Sequence, residues 1–515
     1  MVVCRPLRYR TLILVRFIPS AGSMETSGPE GSGAWHGSVS WKGQVRVKHA
    51  IAVMHPYWRF WEASAGGPAF RDERQRLLDE VVDVLGGSGA DIVWSGLVDS
   101  PVAGSEAAAD IRAGGASVVL VVQSMAAPPT HAMAALDVLD DLPVVVWAVQ
   151  RSRALRAAFD QSDITKLGAT VGTPMVTNVL GRQGRPFELV VGAIEDPQMT
   201  EQLGGVLRAA ATARLVSGAR IARVGRPIEG YDCVDVDDAA LRSATGIQLV
   251  PVEPAEIRDR YRLVGSTSDL EGEVAAGFDC LADGTEGWAR SLRLARTMED
   301  LDREHGFAAG AMNCHVEEIR FGDHPGVTPC FGLGRETSRG IPWSCAGDVV
   351  TAVAMLVARH LGGAALYHEV EAIDFDAEEV VLANSGEHDL GWCPPGVRPR
   401  LISNPWYRSD PVTGACAWFE LPAGPATLVG FTPHHAEASG FRLIAAEGEV
   451  TGRSFPQSPT VGGAFRFSGN EPVESVWKRW AEAGVNHHSA AAPGHLADQV
   501  EVVARFLGIG FVRVS

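Results

Sequence analysis

Through the first half of the chain, short β-branched runs alternate with stretches of helical periodicity. Residues 45–54 form an apolar, strand-like run that ends in the aromatic segment His55-Pro-Tyr-Trp-Arg-Phe-Trp61. Residues 70–85 carry apolar positions at helical spacing among Arg, Asp and Glu, and Gly86-Gly87 stops them. Runs at 91–94, 117–123 and 142–150 are rich in Val, Ile and Leu, with helical patterns between them at 105–113 and 130–139. Strands this apolar, alternating with helices, predict βαβ units and a parallel sheet buried on both faces. In such a sheet a ligand sits beyond the carboxyl ends of the strands. His55, Gln123 and Gln150 occupy such ends, where each is equally readable as a plain loop residue.

The pattern renews after residue 163. Strands are expected at 187–192, 219–225 and 308–314, with helices at 199–213, 254–261 and 291–304. Beyond about residue 365 the texture changes. Short runs separated by Gly, Pro and Asp (364–369, 379–383, 417–421, 426–430, 440–444 and 463–467) predict an antiparallel barrel or sandwich. A helix at 473–484, a helix at 496–507 and a strand at 510–514 close the chain. The expected fold is α/β: two Rossmann-like parallel-sheet domains, then a β-rich, barrel-like C-terminal domain. The expected boundaries are 46–185, 186–340 and 341–515.

Residues 1–45 fall outside that pattern. Their apolar stretch, Leu12 to Val15, is broken by Arg16, which spoils it as a signal-peptide core. Met24 precedes a Gly/Ser/Pro-rich run, so the segment reads as a flexible leader or a mis-assigned start. Nothing in the 515 residues approaches the roughly 20 apolar residues that span a bilayer. The formal charge of −17 disfavours nucleic acid and anionic membrane as partners. The eight cysteines are scattered without a C-x-x-C pair, which fits reduced thiols and a cytoplasmic location. Neither G-x-G-x-x-G after a strand nor G-x-x-x-x-G-K-[ST] occurs, so dinucleotide and P-loop roles lack support.

Candidate chemistry centres on Gly340-Ile-Pro-Trp-Ser-Cys-Ala-Gly-Asp348, which runs into the apolar helical pattern 349–360. Asp348 stands at the helix start, where a carboxylate either caps free N–H groups or faces a cleft to hold a cation or hydroxyl. Other ionisable residues fall at element ends: Glu317, Glu369, His388 in Asn384-Ser-Gly-Glu-His-Asp389, and the pair His487-His488. Carboxylates with one or two imidazoles suit a Mn²⁺ or Mg²⁺ site with open positions. Each is also readable as a cap, a surface charge or a turn residue.

A resemblance gathers these residues. Trp480-Ala-Glu-Ala-Gly-Val-Asn-His-His488 resembles the W-x-x-A-G-x-x-H-H segment near the end of L-arabinose isomerases. The segment 340–355 is similar to the one in L-fucose isomerases that carries an acidic metal ligand before an apolar helix, and Asn313-Cys-His-Val-Glu317 resembles the strand end bearing their other acid. The L-fucose/L-arabinose isomerase-like family implies two Rossmann-like domains with a C-terminal barrel, a homo-oligomer, and interconversion of an aldose and a ketose with Mn²⁺. Carried over by position, Glu317 and Asp348 would be ligands and catalytic carboxylates. Glu369, His388 and His487 or His488 would be further ligands. His55, Trp58, Gln123 and Trp343 are expected to meet a pentose or deoxyhexose, the tryptophans by stacking. One carboxylate would remove the C2 proton to give a cis-enediol, and the proton would return at C1. A glutamate often precedes the helix-start aspartate in these isomerases. Here Ala346 and Gly347 occupy those places, which also admits a sugar-binding homologue without catalysis.

Overall fold

A computed structural model describes residues 49–515 except Ser88 and 281–284. The expected leader, residues 1–45, lies outside the described residues.

The first five strands are β1 (Ala50–Pro56), β2 (Asp91–Val98), β3 (Val118–Gln123), β4 (Val144–Gln150) and β5 (Phe187–Ala193). They form one sheet in the order β2-β1-β3-β4-β5, and every pairing is parallel. The reason is visible in β3, whose six residues are all buried. Helices on both faces leave no polar side for it to show.

The next strands are β6 (Arg220–Val224), β7 (Gln248–Val252), β8 (Asp279–Cys280), β9 (Ala309–Met312) and β10 (Trp343–Ser344). Four of them make a second parallel sheet, β10-β9-β6-β7. Gly310 in β9 makes room for its neighbour: a Cβ there would lie 2.4 Å from the Trp343 ring.

The remaining strands are β11 (Leu366–Asp374), β12 (Glu379–Ala383), β13 (Arg400–Ser403), β14 (Ala415–Trp418), β15 (Gly424–Pro433), β16 (Phe441–Val450), β17 (Val461–Phe467), β18 (His488–Pro493) and β19 (Gly510–Arg513). Six of them pair antiparallel in the cycle β15-β18-β11-β12-β17-β16, and β15 pairs again with β16. The hydrogen-bond ladder therefore returns to its starting strand. β19 joins the outside of β16 in parallel, and β13 bridges β14 and β8 in a small separate sheet.

The helix Val349–Gly362 lies between the second parallel sheet and the ring. It packs against β6, β9 and β10 on one side and β15 and β18 on the other. Hence all its residues but His360 and Gly362 are buried, and one core cluster runs from Ile221 through Val353 to Ala490. A helix buried all round needs apolar residues on every face, which this one has. Asp348 caps its start by accepting the Thr351 N–H at 2.8 Å. A cap of this kind contributes about 0.5–2 kcal/mol. Gly363, at φ 82°, ends the helix in the left-handed region.

Candidate functional site

Three stretches meet between the second sheet and the ring: the start of the Val349–Gly362 helix, the middle of β11, and the start of β18. The register of the ring brings two of them together, because Glu369 in β11 lies directly across from His488 in β18. His488 is 4 % exposed in its side chain and sits between two carboxylates. Its Nδ1–H donates to Asp348 Oδ2 at 2.8 Å. Its Nε2 lies 3.0 Å from Glu369 Oε1. His487 lies ring against ring with His488, centroids 3.7 Å apart, and its Nε2 is 3.9 Å from the same Glu369 oxygen.

Asp348 is fully enclosed and its oxygens are engaged. Beyond the cap, Oδ2 accepts from the Thr351 hydroxyl at 2.7 Å, the Asn486 amide at 2.8 Å and His488. Asn486 in turn accepts the His488 backbone N–H. This is the arrangement that fixes the tautomer and ring orientation of a metal-binding histidine from behind. It leaves the His488 Nε2, Glu369 and His487 atoms facing a common point. Among the described residues these three form the group whose ligand atoms all lie within 4.8 Å of one another.

The electrostatics follow from that packing. Burial works against a charged His488, but the hydrogen bonds to Asp348 and Glu369 outweigh it and lift the ring to about 9. Burial would raise Glu369, yet the bonds from His488 and Glu371 bring it down to about 2. Glu371 is raised instead, first by its hydrogen bond to Glu369 and then by burial. His487 is lowered by burial and by the neighbouring His488 charge. Its other nitrogen, Nδ1, lies 3.5 Å from Cys233 Sγ, and Tyr231 packs edge-on against the ring. The Tyr367 ring lies tilted against His488, centroids 4.8 Å apart. One carboxylate oxygen and two imidazole nitrogens are a donor set that fits a divalent first-row cation such as Mn²⁺.

The other expected site residues lie elsewhere. Glu317 is exposed at the start of the one-turn helix Glu317–Arg320 and is outside the metal-competent group. His388 is also outside it. Its ring is completely buried, packs edge-on against Phe419, and has no hydrogen-bond partner on either nitrogen. Burial alone lowers it to about 4. Trp343 is enclosed in the core with its indole N–H on Asp302 Oδ2 at 3.0 Å, so it offers no face to a sugar. His55 and Gln123 lie at the carboxyl edge of the first sheet, both buried. His55 Nε2 is 2.8 Å from the Ser124 hydroxyl, whereas the Gln123 amide has no partner. Trp58 is half-buried and stacks on Phe60.

Several residues of the site carry no strong sequence signal. Thr351 stands three residues past the cap, and Asn486 directly precedes the histidine pair. Away from the group, beside the Cys314, Cys345 and Cys330 sulfurs, Glu387 lies next to His388 in a polar run that reads as a surface loop, yet it is 1 % exposed. Burial, then the Cys314 sulfur, push its carboxyl up to about 7, against the weaker pull of the Cys345 and Cys330 thiols.

Comparison with known proteins gives a consistent picture. No family model matches the chain. It is 26 % identical over 399 residues to an L-arabinose isomerase of a Nocardioides species, covering 72 % of this chain and 75 % of that protein. It is 23 % identical to the L-arabinose isomerase of Acidothermus cellulolyticus over 65 % of this chain and 68 % of the relative. An Arthrobacter L-arabinose isomerase matches at 23 % identity over 60 % of this chain and 62 % of its own length. Over most of its length the chain is thus similar, at low identity, to L-arabinose isomerases.

Proposed function

We propose that the protein is a metal-dependent aldose–ketose isomerase of carbohydrate metabolism, acting on an open-chain pentose or deoxyhexose. L-Arabinose is the first substrate to test, because the relatives carry it in their names. The observation that carries the reading is His488, held by Asp348 at one nitrogen and turned toward Glu369 and His487 with the other. Glu369, His487 and His488 would hold the cation, with Mn²⁺ the proposed metal. When bound, the cation would polarise the sugar carbonyl and its neighbouring hydroxyl.

The chain's own groups divide the remaining work. Asp348 orients His488 and keeps its Nδ1 protonated, so Nε2 faces the ligand point. Glu371, the carboxyl hydrogen-bonded to Glu369 at the edge of the ligand point, is the proposed group for moving a proton between C2 and C1 through the enediol. Glu317 is the second choice for that role, as the exposed carboxylate nearest in sequence to the end of β9. Tyr231 and Cys233 hold the exposed His487 ring from outside. A cytoplasmic homo-oligomer is part of the same reading. No described helix is long and apolar enough to cross a membrane.

Metal content and an aldose/ketose panel test the proposal. Added Mn²⁺ is expected to raise the melting temperature of the purified protein, since a ligand that binds only the folded state stabilises it. Turnover of at least one aldose is expected to collapse in Glu371→Gln. A protein that neither contains a divalent metal nor gains stability from one refutes the isomerase reading and leaves a sugar-binding homologue.

A further inference from the structure

Behind the turn that delivers Asp348 lies a pair of buried thiols that the proposed chemistry does not use. Cys314 stands two residues past β9, and Cys345 directly follows β10. β9 and β10 are neighbours in the second parallel sheet, so both sulfurs emerge at the same edge. They are 1 % and 4 % exposed, and Cys314 Sγ lies 3.0 Å from Cys345 Sγ. Both cysteines are free. That separation is about 1 Å more than the ~2.05 Å of a disulfide bond.

The two sulfurs are also inequivalent. The Cys345 thiol, hydrogen-bonded to Cys314, holds the latter well below the usual thiol range despite its burial. The same contact, together with burial, pushes Cys345 up. The contact thus biases Cys314 toward the thiolate relative to Cys345, which lies against it. This is the pairing a thiol needs to attack an oxidant and then be resolved.

We propose that Cys314 and Cys345 are a reversible oxidation site, joined as an intramolecular disulfide by a peroxide-class oxidant. Cys314 sulfur attacks hydrogen peroxide, the O–O bond breaks, and a sulfenic acid forms while the departing hydroxide takes the Cys314 proton and leaves as water. Cys345 sulfur then attacks the Cys314 sulfur, the S–O bond breaks, and the departing oxygen leaves as water with the Cys345 proton. Overall two thiols and one peroxide give one disulfide and two waters. A dithiol reductant reverses the change.

The bond would act on the site through three residues. Cys345 is followed by Ala346 at φ 57° and Gly347 at φ 71°, both left-handed, and then by Asp348. A non-glycine residue in that region costs roughly 1 kcal/mol or more, and a Cβ on Gly347 would lie 2.9 Å from the Arg226 carbonyl. A turn this constrained has little slack, so drawing Cys345 toward Cys314 shifts the aspartate that orients His488. The inference stands on the thiol pair itself and holds whether or not the metal reading does.

Peptide mapping of the full-length protein tests it without any activity assay. Tryptic peptide 304–320 contains Cys314 alone and peptide 340–359 contains Cys345 alone. After treatment of the reduced protein with hydrogen peroxide and alkylation, the two peptides are expected as one linked species, two hydrogen atoms lighter than their sum. Dithiothreitol is expected to restore both free peptides. Cys330→Ala and Cys416→Ala are expected to leave the linked species intact, and Cys345→Ala to leave a sulfenic acid on Cys314 that dimedone traps. Linkage of Cys314 to Cys330 instead, or both thiols remaining reduced while the exposed Cys233 is oxidised, would overturn the proposal. The wild-type map decides the matter even if a variant fails to fold.

Discussion

His388 and His488 are both buried histidines of the C-terminal half, and their chemistry is opposite. His388 is walled in by Phe419 and apolar surroundings, without a partner, and burial lowers it to about 4. His488 is nearly as enclosed but lies between Asp348 and Glu369, and their hydrogen bonds lift it to about 9. Burial alone makes a neutral, inert ring. Burial between two carboxylates makes a charged, oriented one whose protons a metal ion can displace.

The largest test of that contrast is to remove each ring in turn. His488→Gln is expected to weaken Mn²⁺ binding by more than about 100-fold, beyond the roughly 10–100-fold typical of losing an outer-shell partner. His388→Leu is expected to leave the same isothermal titration unchanged. Equal losses in both would erase the distinction. Asp348→Asn comes next. Asparagine caps a helix as well as aspartate, but it removes the charge paired with the buried His488 ring, so melting temperature should fall and Mn²⁺ affinity should drop roughly 10–100-fold.

The third test is pH, applied to the metal-free protein. His55, His368 and His388 are each held near 4 by burial. Unfolding frees them to take up protons below their ordinary 6.5, so stability is full above about 6.5 and is lost as pH falls from there toward 4. His488 acts on the other side. Its raised value gives stability that is complete below 6.5 and is lost as pH rises through about 9. Melting temperature should therefore decline on both flanks, and His488→Gln should flatten only the alkaline one. The smallest expected effect is the stability of His388→Leu. Removing a buried polar group with no partner relieves a cost of about 1–3 kcal/mol, which offsets the packing lost against Phe419. Denaturant midpoints close to wild type are expected, and a large loss would reveal a partner for the His388 ring.

The contrast also explains how far the sequence could be read. The all-apolar runs of β3 and β4 announce parallel strands, because only a sheet covered on both faces needs them. Asp348 before an apolar helix is legible as a cap, and His487-His488 as an unusual pair. What brings them to Glu369 is the pairing of β11 with β18, a register between segments more than a hundred residues apart. Local pattern does not encode that. Asn384 to Asp389 misleads for a related reason: a polar segment reads as a surface loop, yet here Asn384, Glu387, His388 and Asp389 are all buried. Enclosure is set by what packs over a segment, which its own composition does not reveal. Glu317 shows the reverse, a residue at an expected strand end that the chain turns outward.

Because β11 and β18 both belong to a closed cycle, each is held by neighbours on two sides. Sliding β18 by one residue would break ladders on both edges and turn His488 to the opposite face. The site is thus protected against insertions and deletions in these strands while staying open to substitution. Over evolutionary time a lineage can change which side chains stand at 369, 487 and 488, but it cannot readily change where they stand.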